Sequence, residues 1–192
     1  MASSNAPRSP QGLHGPQEKP LRDGAAVVLG LGSNRGDSRR ILGEALEALG
    51  ELLEDLRGAS LFETEPLHVT DQARFLNTAA AGIYRGEARE LLAELHRIEA
   101  RFGRDRERER RWGERTLDID ILLFGGRVIS EPPDLEIPHP RLTGRRFALT
   151  PLLELCPEAR DPRTGRPYGE FLEKLPPQGI YYAGPGEYNR KK

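Results

Sequence analysis

The sequence lacks several features that would assign it to a particular class of protein. It has one cysteine, Cys156, which excludes an intramolecular disulfide framework and a zinc site of clustered cysteines, and a reducing, cytoplasmic location is expected. Its longest apolar stretch, Ala25 to Gly32, is far shorter than the roughly 18 residues of a membrane-spanning helix. The first twenty residues contain no apolar run typical of a secretory signal. Basic and acidic residues nearly balance, 29 against 30, so the chain as a whole is not a polycation built to bind nucleic acid.

The sequence divides into three parts by composition. Residues 1–24 hold four prolines and three glycines but no valine, isoleucine or aromatic residue. Such a segment buries too little apolar surface to offset the entropy of ordering it, so a disordered leader is predicted there. Residues 25–183 are expected to form one domain, and residues 184–192 a flexible C-terminal tail.

Apolar periodicity within the domain predicts alternating strands and helices. Continuously apolar runs are typical of buried strands, and apolar residues at helical spacing mark amphipathic helices. The predicted elements are, in order, strand 25–31, helix 38–50, strands 56–64 and 75–84, helix 89–102, strand 117–124 and helix 147–155. The order β-α-β-β-α-β indicates an α+β fold, in which helices pack on a sheet.

The strand predicted at 117–124 has the sharpest chemical signal, because two aspartates interrupt its apolar residues. Side chains alternate along a strand, and those expected on the buried face are Leu117, Ile119, Ile121 and Leu123. Asp118 and Asp120 then share the opposite face, with their backbones about 7 Å apart. Two carboxylates so close repel each other unless a cation lies between them, and such hard oxygen ligands suit Mg²⁺. An ordinary solvated strand face is the alternative.

The segment from Arg101 to Arg115 is rich in arginine. It contains seven arginines against four acidic residues, hence a net charge of +3. Beside a carboxylate pair, guanidinium groups of this kind would neutralise the phosphates of a nucleotide. Composition alone leaves open a mixed-charge solvated loop, and Trp112 within the run leaves open a contact with nucleic acid.

Three shorter stretches add weaker signals. The glycines between Gly30 and Asp37 match neither a dinucleotide-binding fingerprint nor a P-loop, and alone they indicate only a tight turn. Phe75 and Asn77 share a face of their strand, where a ring can stack on a flat heterocycle and an amide can hydrogen-bond its edge. The candidate phosphate donors of the third stretch, 137–147, are His139, Arg141, Arg145 and Arg146.

Taken in this order, these segments resemble the 6-hydroxymethyl-7,8-dihydropterin pyrophosphokinase family, whose members transfer pyrophosphate from ATP to a pterin alcohol. The most specific match is Arg-Trp-Gly-x-Arg-Thr-x-Asp-x-Asp, which runs from Arg111 to Asp120. The other matching stretches are LGLGSNRGD (29–37), FLNTAA (75–80), RIEARFGRDR (97–106) and IPHPRLTGRRFALTPLLELCPE (137–158). The resemblance spans about residues 25–158 and implies an α/β layer sandwich, with a ferredoxin-like β-α-β-β-α-β core and additional short helices.

The resemblance also implies roles for individual residues. Asp118 and Asp120 would hold two Mg²⁺ ions. The residues that would bind ATP are Glu99, Arg104, Arg106, Arg115, Ile121, His139 and Arg145. Of these, Arg104, Arg106 and Arg115 would join the two aspartates as catalytic residues. The residues that would bind the pterin are Thr64, Leu67, Phe75, Asn77, Trp112 and Phe147.

The implied reaction is attack by the hydroxymethyl oxygen on the β-phosphorus of ATP, with AMP leaving. The partners would be ATP and the reduced pterin alcohol, with no nucleic acid, no membrane and no obligate protein partner. Two other functions stay open on the residues alone: an ATP-dependent transferase with another acceptor, and an RNA-binding module of the same topology. The RNA-binding module would need aromatic residues on its central strands, where this sequence places Asp118 and Asp120.

Overall fold

The computed structural model of the chain describes residues 24–66, 71–104 and 113–186. The predicted leader therefore lies outside the described residues except for Gly24, and so does the predicted tail beyond residue 186. Three of the predicted site residues, Leu67, Arg106 and Trp112, also lie outside them.

Eight strands and four α-helices are formed by the described residues. The strands are β1 (Ala25–Ser33), β2 (Glu54–Gly58), β3 (Leu61–Thr64), β4 (Phe75–Tyr84), β5 (Asp118–Phe124), β6 (Ile129–Glu131), β7 (Leu135–Ile137) and β8 (Ile180–Gly184). The helices are α1 (Ser38–Leu49), α2 (Ala88–Arg101), α3 (Arg146–Leu155) and α4 (Tyr168–Lys174), with a 3₁₀ turn at Leu142–Gly144. None of the described helices is long and apolar enough to span a bilayer.

The single strand predicted at 56–64 is two strands, β2 and β3, which both pair with β4. Gly58 of β2 lies opposite Ala80, whereas Phe62 of β3 lies opposite Asn77, so the two registers differ by one residue. At the break, the main-chain N–H and the hydroxyl of Ser60 both donate to the side chain of Glu154. The break does not change the pattern of apolar residues, so it could not be predicted from that pattern.

The main sheet is antiparallel and has the strand order β5-β1-β4-β3-β8, with β2 beside β3 on the edge of β4. If β2 and β3 count as one strand, the first four strands in the chain take the spatial order 4-1-3-2 of a ferredoxin-like sheet. The predicted α+β fold is therefore confirmed. β8 extends this sheet at the β3 edge, and β6 pairs with β7 in a separate small sheet.

Helices cover both faces of the sheet, which makes the sheet the middle layer of three. One apolar cluster lies between the sheet and helices α1 and α2, and it includes Leu29, Leu46 and Leu95. A smaller cluster lies between the sheet and helices α3 and α4, and it includes Leu149 and Tyr168. Amphipathic helices of this kind bury their apolar stripe against the sheet, which fixes where each helix lies.

A β-bulge in β5 changes the orientation of one predicted core residue. β1 and β5 pair regularly on both sides of Leu122, which lies opposite no residue of β1. As a result, Leu122 and Leu123 both pack toward α3 and α4, while Phe124 packs toward α1 and α2. The prediction that Leu123 shares a face with Ile121 is wrong, because the extra residue interrupts the alternation of the strand.

Candidate active site

A cavity of about 750 Å³ opens on the α3 side of the sheet, beside β1, β4 and β5. Its volume lies in the range of small-molecule sites. Nine of the predicted site residues line it: Thr64, Phe75, Asn77, Arg115, Asp118, Asp120, His139, Arg145 and Phe147. The fold thus brings residues from four separate stretches of the chain to one place.

Two glycines of β1 form the floor of this cavity. Gly32 lies between Asn77 of β4 and Asp118 of β5, and Gly30 lies opposite Asp120. A Cβ atom on Gly32 would come within 3.1 Å of Asn77 Oδ1, so a side chain there would take space from the cavity. The tight turn predicted for this stretch holds only for the residues after β1. Glycines two residues apart in an apolar strand share one face, and this spacing is the feature of the sequence from which the floor could have been predicted.

One end of the cavity has aromatic rings and a buried amide. Asn77 Nδ2 donates to Thr64 Oγ1 at 2.8 Å, and both residues are buried. Phe75 lies two residues before Asn77 on the same face of β4, and Phe147 enters from the first turn of α3. This end suits a flat polar heterocycle, because the rings supply apolar faces and the amide supplies hydrogen bonds.

The carboxylate pair lies toward the other end, and its two members have different surroundings. Arg104 donates to Asp118 Oδ1 at 2.5 Å, and Arg115 donates to Asp118 Oδ2. Burial acts to raise the pKa of Asp118, but the guanidinium groups of Arg115 and Arg104 outweigh it and hold that pKa below its ordinary value. Burial, together with the charge of Asp118, raises the pKa of Asp120 to about 6. The nearest guanidinium nitrogen of Arg145 is 3.7 Å from Asp120 Oδ2.

A buried ion pair lies behind Asp118. Glu99, on α2, is 1% exposed; it accepts a hydrogen bond from the main-chain N–H of Ile119 at 2.8 Å and another from the guanidinium of Arg104. Arg104 also reaches Asp118, so the end of α2 is tied to β5. The predicted ATP-binding residues among the described ones that do not line the cavity are Glu99, Arg104 and Ile121. The side chain of Ile121 packs toward α1 and α2.

His139 is held on both sides by the main chain. The main-chain N–H of His139 donates to the carbonyl of the bulge residue Leu122 at 3.1 Å. The ring Nδ1 accepts from the main-chain N–H of Arg141 at 3.2 Å. Since Nδ1 is an acceptor, the proton of the neutral ring is on Nε2, which lies 3.8 Å from Asp120. Burial, with the charges of Arg145 and Arg141, lowers the pKa of His139 to about 4, so the ring is neutral at physiological pH.

Arg146 has a different place from the one predicted. Its guanidinium donates to the main-chain carbonyls of Leu172 at 2.9 Å and Leu175 at 2.7 Å, at the end of α4. It therefore connects α3 to α4 and is not a phosphate donor. Gln72 and Thr143 line the cavity without having been predicted, because a single polar residue in a loop gives no periodic signal.

The donor set at Asp118 and Asp120 fits a divalent cation that arrives with phosphate. Within the part of the chain that the structure describes, no group of three or more His, Cys, Asp or Glu side chains forms a complete metal cage. Mg²⁺ does not need one, because it usually takes one or two carboxylates and completes its shell with water and phosphate oxygens. Asp120, whose side chain is 38% exposed, faces the cavity where such oxygens would lie.

Comparison with known proteins gives consistent matches. A family model described as 7,8-dihydro-6-hydroxymethylpterin-pyrophosphokinase (HPPK) matches residues 28–157. The 2-amino-4-hydroxy-6-hydroxymethyldihydropteridine pyrophosphokinase of Pseudomonas aeruginosa is 40% identical over 156 residues, which cover 80% of this chain and 94% of that protein. The folate synthesis bifunctional protein of Arabidopsis thaliana is 44% identical over 131 residues, which cover 67% of this chain. This chain spans only 26% of that longer relative.

Solved structures agree on the fold. The wild-type HPPK-DHPS of Plasmodium falciparum matches with a TM-score of 0.63, over 82% of this chain and 45% of that chain. The sequences are 16% identical, so this likeness supports the architecture alone.

Proposed function

Because the chain belongs to the 7,8-dihydro-6-hydroxymethylpterin-pyrophosphokinase family, we propose that it transfers pyrophosphate from ATP to the hydroxymethyl group of 6-hydroxymethyl-7,8-dihydropterin and releases AMP, in folate synthesis. The observation that carries the proposal is the row formed by Asn77, Gly32 and Asp118 across three neighbouring strands. Strands lie about 4.8 Å apart, so the amide and the carboxylate are about 10 Å apart on one face. A bicyclic ring with a one-carbon alcohol arm bridges such a distance, with its ring at the amide and its oxygen toward the phosphates.

The pterin is assigned to the aromatic end of the cavity. Phe75 and Phe147 would supply ring faces on which the heterocycle packs. One N–H of Asn77 Nδ2 is used by Thr64, which leaves the second N–H and Oδ1 for a donor–acceptor pair on the pterin edge. The family resemblance adds Leu67 and Trp112, which lie outside the described residues.

The phosphates of ATP are assigned to the basic end. Arg115, Arg145 and the Nε2–H of His139 face the space beside the carboxylate pair, so they can donate to phosphate oxygens and offset their charge. Arg104 acts on the same space indirectly, through its hydrogen bond to Asp118. The resemblance adds Arg106, outside the described residues.

Two residues of the proposed ATP site act from behind β5. Glu99 orients Arg104 through their ion pair, and it fixes the start of β5 through the N–H of Ile119. Ile121 contributes through its place in the strand, because its side chain lies in the core. Both residues are therefore supports for the groups that face the nucleotide.

Two Mg²⁺ ions are proposed to bind with the nucleotide, held by Asp118 and Asp120. Bound there, Mg²⁺ would offset the phosphate charge and orient the oxygen that leaves with AMP. Each oxygen of Asp118 accepts one guanidinium hydrogen bond, from Arg104 or Arg115, and keeps a second lone pair that can bind a metal ion. Asp120 is already turned toward the cavity.

In the transfer, the hydroxymethyl oxygen forms a bond to the β-phosphorus as the bond to the α-phosphate oxygen breaks. The hydroxyl proton passes to solvent water, and AMP carries away the electron pair of the broken bond. Reactions of this kind depend on positioning and charge stabilisation, so the chain needs no covalent nucleophile. The aromatic end fixes the attacking oxygen, and the arginines with neutral His139 fix the phosphates.

The test is an AMP-release assay with ATP, Mg²⁺ and the reduced pterin alcohol. We expect AMP and the pterin pyrophosphate in equal amounts, and only when all three are present. Arg145→Ala should lower kcat/KM by roughly 10²-fold, as the loss of one preorganised donor does. Arg166→Ala, outside the cavity and exposed, is the matched control and should leave turnover unchanged. Release of ADP would contradict the proposal, and turnover only with another acceptor would favour a different transferase.

We also propose that residues 25–183 work as one catalytic domain, in the cytoplasm and without an obligate protein partner. The match to 94% of the Pseudomonas protein supports this, because it leaves that relative little length for a second domain. Expression of residues 25–183 alone tests it: turnover equal to that of the full chain is expected, and a large loss would contradict it.

A further inference from the structure

A second cavity, of about 380 Å³, opens at the other end of the sheet from the candidate active site. β1 runs from one cavity to the other, since Val28 lines the second cavity and Gly30 lies in the floor of the first. α3 lies between them: Phe147, in its first turn, lines the first cavity, and Cys156, at its C-terminal end, lines the second. Among the described residues, none lines both cavities.

The second cavity opens where α3 ends. Cys156 precedes Pro157, and a residue before proline is disfavoured in the helical conformation. Accordingly, Cys156 has a φ of −136° and a ψ of 71°, and α3 stops at Leu155. The chain that follows supplies a wall of the cavity through residues 159, 160 and 162, and α4 begins only at Tyr168.

The floor of the second cavity is apolar. It is formed by side chains of three neighbouring strands, β1, β4 and β5: Ala26, Val28, Ala81, Ile83 and Leu123. Ala26 lies opposite Ile83, and Val28 lies opposite Ala81, so these side chains are adjacent on one face of the sheet. Ala26 is exposed, and Ile83 and Leu123 are half-buried. An apolar molecule that covers this floor would therefore gain the free energy of burying it.

Charged side chains surround this floor, and their sum is positive. The lining holds three arginines and one aspartate, hence a net charge of +2: Arg57, Arg127, Arg160 and Asp55. Arg57 donates to the main-chain carbonyl of Leu155 at 3.4 Å, and Arg160 donates to that of Gly165 at 3.2 Å. Arg127 also forms an ion pair with Glu87 at 2.8 Å. A guanidinium has five N–H donors, so a single main-chain bond positions the group and leaves further donors for an anion.

We propose that the second cavity is a binding site for a small organic anion, in which a flat apolar ring carries a carboxylate or a phosphate. The ring packs on the apolar floor, and the anionic group lies between Arg57 and Arg160 on either side of it. The volume is near the lower end of the range for small-molecule sites, which suits a ligand of one or two rings. This inference does not rest on the proposed function, because none of the residues assigned to ATP, metal or pterin takes part in it.

Cys156 provides a local measurement of occupancy, because it is the single cysteine of the chain and lines the second cavity. Its side chain is partly exposed, so a small neutral reagent can reach it in the folded protein. The rate at which iodoacetamide alkylates Cys156 is measured by mass spectrometry at constant ionic strength. The probes are 2-naphthoate, 2-naphthyl phosphate, the neutral 2-naphthamide and inorganic phosphate. A probe bound in the first cavity leaves this rate unchanged, because the first cavity has no cysteine in its lining.

In the wild type, we expect both aryl anions to slow alkylation at roughly millimolar concentration, an affinity typical of so small a ligand. The neutral amide should protect less, and inorganic phosphate should not protect. The lower of the two half-protecting concentrations, that of the carboxylate or that of the phosphate ester, identifies the preferred anionic group.

Two arginine variants test the charged rim. Arg57 and Arg160 are both exposed, so Arg57→Ala and Arg160→Ala should fold normally. Each should raise the half-protecting concentration of 2-naphthoate about tenfold, because a charge-assisted hydrogen bond is lost, and should leave that of 2-naphthamide unchanged. Arg40→Ala is the matched control: its side chain is 63% exposed on α1, outside the lining of both cavities, and protection should match the wild type.

Four outcomes would overturn the inference. The first is alkylation that neither aryl anion slows, and the second is equal protection by 2-naphthoate and 2-naphthamide, which would show that charge plays no part. The third is equal protection by inorganic phosphate, which would show that the apolar floor plays no part. The fourth is wild-type protection by 2-naphthoate in both arginine variants. None of these outcomes bears on the AMP-release assay, so the proposed function is tested separately.

Discussion

The two aspartates of β5 should respond in opposite ways to the loss of their charge. Asp118 is paired with Arg104 and Arg115, which hold its pKa below the ordinary value, whereas the pKa of Asp120 is raised to about 6. Replacement by asparagine keeps the size of each side chain and removes the charge. Without metal or nucleotide, we expect Asp118→Asn to destabilise the protein and Asp120→Asn to stabilise it.

The magnitude for Asp120 follows from its pKa. A rise from about 3.9 in an unfolded chain to about 6 corresponds to about 3 kcal/mol of destabilisation at neutral pH. The side chain is 38% exposed, so solvent screening reduces the gain in Asp120→Asn to about 1 kcal/mol. Asp118→Asn takes a carboxylate from Arg104, whose side chain is 6% exposed, and should cost about 2 kcal/mol.

The pH dependence of these effects has a definite sign. Because the folded-state pKa of Asp120 is raised, its contribution to stability is complete below about pH 4 and is lost as the pH rises through about 6. The gain from Asp120→Asn should therefore vanish near pH 4 and be complete at pH 7. The folded-state pKa of Asp118 is lowered, so its contribution is present above the unfolded-state value and is lost only as the pH falls through the lowered one.

Urea unfolding between pH 4 and pH 8, in EDTA, measures these differences. A change of 1 kcal/mol moves the melting temperature of a domain of this size by about 2–4 °C, which calorimetry resolves. Both variants should lose pyrophosphoryl transfer, and Mg²⁺ with ATP should raise the melting temperature of the wild type alone. The reasoning is refuted if both variants shift stability in the same direction, or if the gain in Asp120→Asn is independent of pH.

Three further substitutions separate the roles of the floor, the helix contact and the core. Gly32→Ala would place its Cβ atom 3.1 Å from Asn77 Oδ1, so steady-state kinetics should show the KM for the pterin raised roughly tenfold, an effect of about 1.4 kcal/mol. Urea unfolding should show little change, and an unaltered KM would contradict the floor assignment. Arg146→Met removes the bonds to the α4 carbonyls and should lower the unfolding free energy by about 1–2 kcal/mol, with both KM values unchanged. Ile119→Asn places an amide in the core and should prevent folding; a native circular dichroism spectrum would count against it.

Elements with long periodic patterns could be predicted closely from the sequence. β4 was predicted at 75–84 and is observed at Phe75–Tyr84, and α1 and α2 lie within one residue of their predicted bounds. The apolar residues of α1 and α2 repeat along their length, because each helix buries one face against the core. Such a repeat therefore identifies, from the sequence alone, the residues that face the core. β4 lies inside the sheet and packs residues against both of its faces, so its prediction depended on a long apolar run.

The elements that were missed depend on contacts that no local pattern records. Ile119, Ile121 and Leu123 alternate perfectly in the sequence, so the bulge at Leu122 is invisible until β5 is paired with β1. β8 is short, and its two tyrosines are exposed, so it has no buried face to reveal it. It becomes a strand because it pairs with β3, more than a hundred residues earlier in the chain.

The candidate site was predicted by residue type but not by state. The sequence indicated carboxylates, arginines, an amide and aromatic rings, and nine of those residues line one cavity. The difference between Asp118 and Asp120 could not be predicted, because the two residues are equivalent by spacing. The difference arises because Arg104 and Arg115 both form ion pairs with Asp118, and the positions of these arginines are set by the tertiary fold.

The glycine floor limits how this cavity can change by substitution. Gly30 and Gly32 present only main chain to the space between β4 and β5, so no replacement there can enlarge that space. Every other residue adds at least a methyl group, toward Leu122 at one position and Asn77 at the other. An inhibitor that packs against this floor contacts main-chain atoms. A substitution at either glycine would take up part of the space beside the floor, so it would weaken binding of the substrate as well as of the inhibitor. Resistance would have to come from the walls, where side chains such as Phe75 can be trimmed or exchanged.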